Sequence, residues 1–444
     1  MTPDPLSTLA NRAFVYGFPL VFGLEQVERF ATTGIGATPA APYNSFGHAR
    51  TLAGPEDTFV SINNDTVYSI AQLDLSAGPI LLDLPDTHGR YYVMQFISAW
   101  TENFAYLGSR STGTAAGRYL IVGPGWDGVT GSEHTDVKVV QSPTQIATLM
   151  GRWAVTDEAD LAAVARLQDG TRLTPVGCVD AAGLPDVDDT SLSTELAFWE
   201  RYRVYSQAFP PPAGDLAVQT GFAALGLTGS TPVGDLERDR REALIQAYRD
   251  GMAGVHRFLQ NNRGGAGWTS SMHVFDFNID HFEIGTIDDP QWKIADQDER
   301  FLVRTAAALA GLWGAHAYEA VYFTVYEDGD GEPLTGDHTY ELTLNPPPPN
   351  GAFWSLTMYQ TPDFTLVDNQ INRYSVGDRT PGVVTDAAGA VTITVGAAMP
   401  AEATAQANWL PAPDGPFRPI LRVYLPDQAL LDESYELPPF KRIR

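Results

Sequence analysis

The sequence predicts a mixed α and β protein, mainly antiparallel β, built as two β-sandwich or jelly-roll-like units with an intervening helical section. Three observations carry this. Short runs of β-branched and aromatic residues, punctuated by Gly and Pro, fill 58–140 and 322–424. Between 191 and 319 the apolar residues instead recur at helical spacing. Gly (41) and Pro (32) supply many turns, while 44% hydrophobic and 18% charged residues fit a folded core. A chain of 444 residues is long enough for two or three domains. The expected divisions are 1–190 for an N-terminal helix plus β unit, 191–318 for the helical section and 319–444 for the second β unit.

Residues 6–31 form the first predicted helix, with Leu9, Ala13, Tyr16, Leu20 and Leu24 on one stripe and a kink at Pro19. The β pattern then runs from Thr58 to about Val140. Ile80–Leu84 and Arg90–Phe96 flank Pro85-Asp86-Thr87-His88-Gly89, a hairpin signal. Arg118–Val122 ends in Gly123-Pro124-Gly125, and Asp157 is positioned to cap a short helix through Leu167. Helices are predicted at 191–207 (Leu192, Leu196, Trp199, Tyr202), at 235–260 (Leu236, Leu244, Tyr248, Met252, Val255, Leu259) and at 296–319. Strands resume at 322–326, 353–357, 391–395 and 420–424, with a polyproline loop over 345–351.

Composition narrows the function. A formal charge of -26 argues against nucleic acid or an anionic membrane as partner, because phosphate binding needs a basic surface. The single cysteine, Cys178, excludes an internal disulfide and reads as an inert thiol more readily than as a nucleophile. No apolar run reaches membrane-spanning length, and the start Met1-Thr2-Pro3-Asp4-Pro5 lacks the pattern of a signal peptide, so a cytoplasmic location is expected. Signatures of α/β-hydrolases, zincins, P-loop enzymes and dinucleotide folds are missing. The eight histidines show no ligand spacing, so no metal and no cofactor is predicted. Tyr326-Glu327-Asp328-Gly329-Asp330-Gly331-Glu332 looks like a calcium loop at first glance but lacks the twelfth-position Glu and flanking helices; a hairpin turn is the better reading, with calcium as a secondary alternative.

Candidate site residues cluster around Ser61-Ile62-Asn63-Asn64-Asp65-Thr66-Val67-Tyr68-Ser69. Asn-Asn-Asp suits a turn, since these side chains bond their own backbone. Asp65, Thr66 and Tyr68 go beyond what a turn requires. Asp65 is the candidate acid or base, with Tyr68 and His48 assisting it. Asn63, Asn64, Arg90, Tyr92, Trp100, Trp354, Arg373 and Trp409 are candidate substrate contacts, aromatic platforms beside a few polar groups. For any one of them, an ordinary core or turn role competes with that reading.

Several of these stretches together resemble a known family. Phe59–Ser69, Leu73-Asp74-Leu75-Ser76, Arg90-Tyr91-Tyr92 and Gly123-Pro124-Gly125-Trp126 resemble the bacterial domain of unknown function 1254. Asp328-Gly329-Asp330-Gly331 with Leu334, Phe353–Tyr359, Asn372-Arg373-Tyr374-Ser375, Asn408–Pro413 and Arg422-Val423-Tyr424 resemble its usual partner, domain of unknown function 1214. The resemblance implies two β units with helices between them and no established chemistry. It also implies that many relatives are exported, from which this start departs.

The functional expectation is an enzyme acting on a small polar or glycan-like molecule in a cleft between the two β units, with hydrolase, lyase and isomerase undistinguished. The alternative is a non-catalytic carbohydrate-binding or scaffold protein. A homo-oligomer is compatible with either. Asp65, Tyr68 and Arg90 are expected to face the cleft, with Trp354, Arg373 or Trp409 closing it, and the helices to pack against both β units.

Overall fold

The long strands are buried along nearly their whole length, because one face of each meets the facing sheet of its own sandwich and the other is covered by a second core. A computed structural model describes residues 5–57, 61–128, 137–177, 180–261, 267–278 and 281–443. Cys178 and the run Thr58-Phe59-Val60 lie outside the described residues.

The N-terminal sandwich comprises β1 (Phe46–His48), β2 (Thr66–Asp74), β3 (Ile80–Leu84), β4 (Tyr92–Ser98), β5 (Asn103–Gly108), β6 (Gly117–Val122), β7 (Lys138–Gln141), β8 (Ile146–Ala154) and β9 (Arg172–Pro175). One sheet has the order β1-β2-β8-β4-β5 and the other β7-β6-β3-β9. Their facing side chains, among them Leu73, Met94 and Leu149 against Leu82, Ile121 and Val140, form one core. The predicted hairpin over 80–96 is not formed. β3 pairs with β6 and β9, whereas β4 pairs with β5 and β8. Pro85–Gly89 does turn the chain, with His88 and Gly89 at positive φ. It turns it across the sandwich, because the inward faces of both strands are needed on opposite sides of the same core.

The C-terminal sandwich comprises β10 (Thr269–Ser270), β11 (Ala320–Thr324), β12 (Tyr340–Leu344), β13 (Asn350–Gln360), β14 (Ser375–Gly377), β15 (Val391–Gly396), β16 (Trp409–Pro411), β17 (Phe417–Pro426) and β18 (Lys441–Arg442). Its sheets are ordered β10-β11-β17-β13-β14 and β16-β15-β12-β18. The loop at Asp328 is the expected turn: Glu327 bridges Pro333, and Asp328 accepts from the amides of Asp330 and Glu332 and from Arg442.

The helices α1 (Pro5–Thr33), α2 (Leu161–Gly170), α3 (Thr194–Ala208), α4 (Leu216–Gly221), α5 (Arg238–Asn261) and α6 (Gln297–Gly311) precede two short ones, α7 (Ala403–Ala407) and α8 (Gln428–Leu431). Asp157 caps the turn leading into α2, as its position predicts. α1 continues through Pro19. Tyr16, Leu20 and Leu24 of α1, Trp199 and Tyr202 of α3, Leu244 of α5 and Phe301 of α6 share a core with Ile70, Ile97 and Met150. That core joins the helices to the outer face of the β1-β2-β8-β4-β5 sheet. It contains no residue of the C-terminal sandwich, so the expectation that the helices pack on both units is corrected. The C-terminal core instead takes in Tyr91, Val93, Tyr106 and Ala154 of the first unit directly.

α6 stops eight residues before the predicted 319. Polar side chains on the sheet's outer face capture the following backbone: Arg152 donates to Trp313 O at 3.0 Å, and Gln95 and Asn103 donate to Gly314 O at 2.9 and 2.8 Å. Those bonds satisfy carbonyls that a longer helix would have used internally. Among the described residues, no helix is long and apolar enough to cross a membrane.

Candidate functional site

The stretch 61–65 is where the two sandwiches meet. Asn63 builds its turn locally: Oδ1 accepts from the amides of Asp65 and Thr66 at 2.9 and 3.0 Å. Its amide nitrogen then donates to Thr66 Oγ1 at 2.6 Å and to Tyr424 OH at 3.2 Å. Asp65, 5% exposed, points into the C-terminal unit. There Tyr424 OH donates to Oδ1 at 2.8 Å and Ser355 Oγ donates to Oδ2. Burial, and next the Asp65 charge, hold the Tyr424 hydroxyl well above its usual range, so it stays protonated and donating.

The rest of the stretch is gripped in the same way. Arg422, its guanidinium 5.6 Å from the centroids of both the Tyr322 and Tyr359 rings, donates to Ser61 O at 2.9 Å. Tyr359 OH donates to Ile62 O at 2.6 Å, Ser375 Oγ to Asn64 Oδ1 at 3.1 Å, and Arg418 to Ser61 Oγ. A second polar contact lies nearby: buried Glu319 accepts from Tyr91 OH at 2.9 Å and from Arg110 Nε at 3.1 Å. The stretch is therefore both a turn and an interdomain clasp.

A cleft of about 910 Å³ opens beside this clasp. Thr87, Arg90 and Tyr91 form one wall, Ala163, Arg166 and Leu167 of α2 another, and Gly351, Phe353, Arg379 and Leu425 of the second unit the third. Arg379 ties cleft to clasp. Its guanidinium sits 3.3 Å from the centroid of the Phe353 ring and donates to Asp65 O at 3.2 Å. Phe353 stacks on Tyr424 with centroids 4.2 Å apart.

The candidate residues divide accordingly. Arg90 lines the cleft, held by both oxygens of Asp160 at 2.6 Å and by Ala154 O at 2.7 Å. That pairing keeps the Asp160 carboxyl below its usual range. Asn63, Asn64 and Asp65 form the clasp, and Tyr68 OH accepts from Asn63 at 3.3 Å. The cleft walls include neither Asp65 nor Tyr68.

The others lie apart. His48 meets Ser69 Oγ at 2.8 Å, and burial, with Arg50 adding to it, lowers its pKa to about 4. Tyr92 stacks on Trp153 inside the first sandwich. Trp100 donates its indole N–H to Phe209 O in the helical core, and Trp409 does the same to Gly396 O. Trp354 is buried in the second core. Arg373 donates to Ala407 O and Trp409 O, closing the end of α7. None of Trp354, Arg373 and Trp409 lines the cleft. These aromatic and Arg side chains satisfy cores and chain ends.

Sequence reasoning missed Arg379, Arg166 and Ser355. Arg379 sits in a turn-rich run, Gly377-Asp378-Arg379-Thr380-Pro381-Gly382, with no periodic signal. The i, i+3, i+4 face of Ala163, Arg166 and Leu167 was legible as a helix face, though not as a cleft wall. Among the described residues, no group of three His, Cys, Asp or Glu side chains is placed to hold a metal ion.

Residues 43–175 match the family described as Protein of unknown function (DUF1254), and residues 319–428 match Protein of unknown function (DUF1214). No curated protein matches the chain. Among solved structures, the VPA0106 protein from Vibrio parahaemolyticus is similar at a TM-score of 0.77 and 22% identity, over 99% of this chain and 100% of that one. That likeness shows the fold. An uncharacterised protein from Burkholderia cenocepacia aligns at a TM-score of 0.46 and 13% identity, over 100% of this chain and 91% of that one.

Proposed function

Because the chain belongs to the two-domain family that joins DUF1254 to DUF1214, whose names assign no chemistry, we propose a function from the cleft: the protein binds a small polar molecule between its two sandwiches. The observation that carries the proposal is a cleft of about 910 Å³ with walls from both units, large enough for a metabolite-sized ligand. Its mixture of guanidinium, hydroxyl and aromatic groups suits a ligand held by a few fixed polar contacts. Within this reading Asp65 is a positioning residue. It fixes Tyr424 and Ser355 through its carboxylate and Arg379 through its carbonyl oxygen, and so sets the third wall.

The second reading is catalysis, with Asp65 as acid or base on a polar or glycan-like substrate. It requires Asp65 to give up a hydroxyl partner to the substrate, and the proximity of Arg379 and Tyr424 to the cleft favours it. Ala163→Trp tests the shared proposal by placing an indole on the α2 wall. In a thermal-shift screen of small sugars, amino acids, carboxylates and phosphates, compounds that raise the wild-type melting temperature should leave this variant unmoved. Equal stabilisation of both proteins would place binding elsewhere and end the proposal.

A further inference from the structure

We propose that the ligand of this cleft is an anion, recognised through a carboxylate or phosphate group by Arg379 and Arg166. The inference rests on the binding reading above and names its substrate class.

The cleft's charge is opposite to that of the whole protein. The chain carries -26, yet the cleft walls contain Arg90, Arg166, Arg379 and His88 and no Asp or Glu. An acidic surface repels anions at long range, so a local cluster of guanidinium groups must do the recognition. These arginines differ in how far they are already satisfied. Arg90 spends both arms on Asp160. Neither Arg166 nor Arg379 forms an ion pair among the described residues.

Arg379 is the least compensated. Its Nε is buried with no hydrogen-bond partner, while one arm is held by Asp65 O. Burial pushes its pKa below the usual guanidinium range, partly offset by Asp65 and Asp378, with Arg90 adding a like charge. A half-buried cation with a buried, unpartnered Nε and no carboxylate within ion-pair distance is costly as it stands. A planar anion entering the cleft would supply the missing counter-charge to the guanidinium that lines it. Phe353, under the guanidinium, fixes its plane for that approach.

The test uses calorimetric titration of the full chain with inorganic phosphate, with succinate and with glucose. Binding of succinate or phosphate to the wild type is expected, and which of the two titrates separates a carboxylate from a phosphate ligand. Arg379→Gln should weaken that binding by about tenfold or more, the usual worth of a charged hydrogen bond. Arg166→Gln, at an exposed helix position with no fold role, should weaken it by about threefold and guards against misfolding of the first variant. Anion binding unchanged in both Arg variants would overturn the inference, as would no binding of either anion. Glucose binding that Ala163→Trp blocks, with no anion bound, would leave the cleft standing and remove only the anion class. Binding of every compound unaffected by Ala163→Trp would remove both.

Discussion

Asp65 offers the sharpest test of how the two units are joined. Removing its carboxylate as Asp65→Ala leaves Tyr424 OH and Ser355 Oγ without their acceptor in a buried site. Hydrogen bonds to a charged group are worth about 1.5–3 kcal/mol each, so the pair predicts a loss of about 3–6 kcal/mol. Asp65→Asn keeps the shape. Its amide oxygen still accepts from one hydroxyl, and its nitrogen faces the other, which can rotate to accept. Only the ionic part of the interaction is lost, about 1–3 kcal/mol. Unfolding entropy scales with length, so a chain of 444 residues shifts by about 1 °C per kcal/mol. The expected melting temperatures therefore fall by about 3–6 °C for Asp65→Ala and about 1–3 °C for Asp65→Asn. Tryptophan fluorescence during heating reads this out. Ser355→Ala combined with Asp65→Asn should cost less than the sum of the two singles, because they share one contact. If Asp65→Asn melts like the wild type while ligand stabilisation disappears, Asp65 acts on the ligand and the clasp argument is wrong.

Two further outcomes follow from packing and titration. Gly251→Ala should destabilise by about 1–3 kcal/mol by thermal melt, because its Cβ would lie 2.0 Å from Phe14 Cδ1 across the α1–α5 contact; a gain, as helix propensity alone would give, would refute this packing. His48 is held neutral in the folded protein, its pKa lowered to about 4 by burial and Arg50, so its contribution is complete above pH 6.5 and is lost as pH falls toward 4. His48→Gln should flatten the loss of stability over that window by on the order of 1–2 kcal/mol, about 1–2 °C in melting temperature, and an unchanged pH profile would contradict it.

What the sequence determined by itself was local. The helices α3 and α5, the start of α6, the Asp157 cap, the Asn63 turn and the loop at Asp328 were all legible, because each satisfies backbone groups within a few residues. The ordered motifs around Asp65 and Arg422 were legible too, and they identified the family. Only the tertiary structure decided which strands became partners. The near-continuous burial of Ile80–Leu84 and Tyr92–Ser98 marks both runs as interior strands, and it is silent on which sheet each joins. The same limit hid the use made of Asp65. Its partners Ser355 and Tyr424 stand 290 and 359 residues away, and nothing local to any of the three encodes that meeting. Arg379 and Arg166 were invisible as a pair for the same reason. They come together only when the second sandwich closes against the first, where one guanidinium is left with no carboxylate within ion-pair distance and gives the cleft its character.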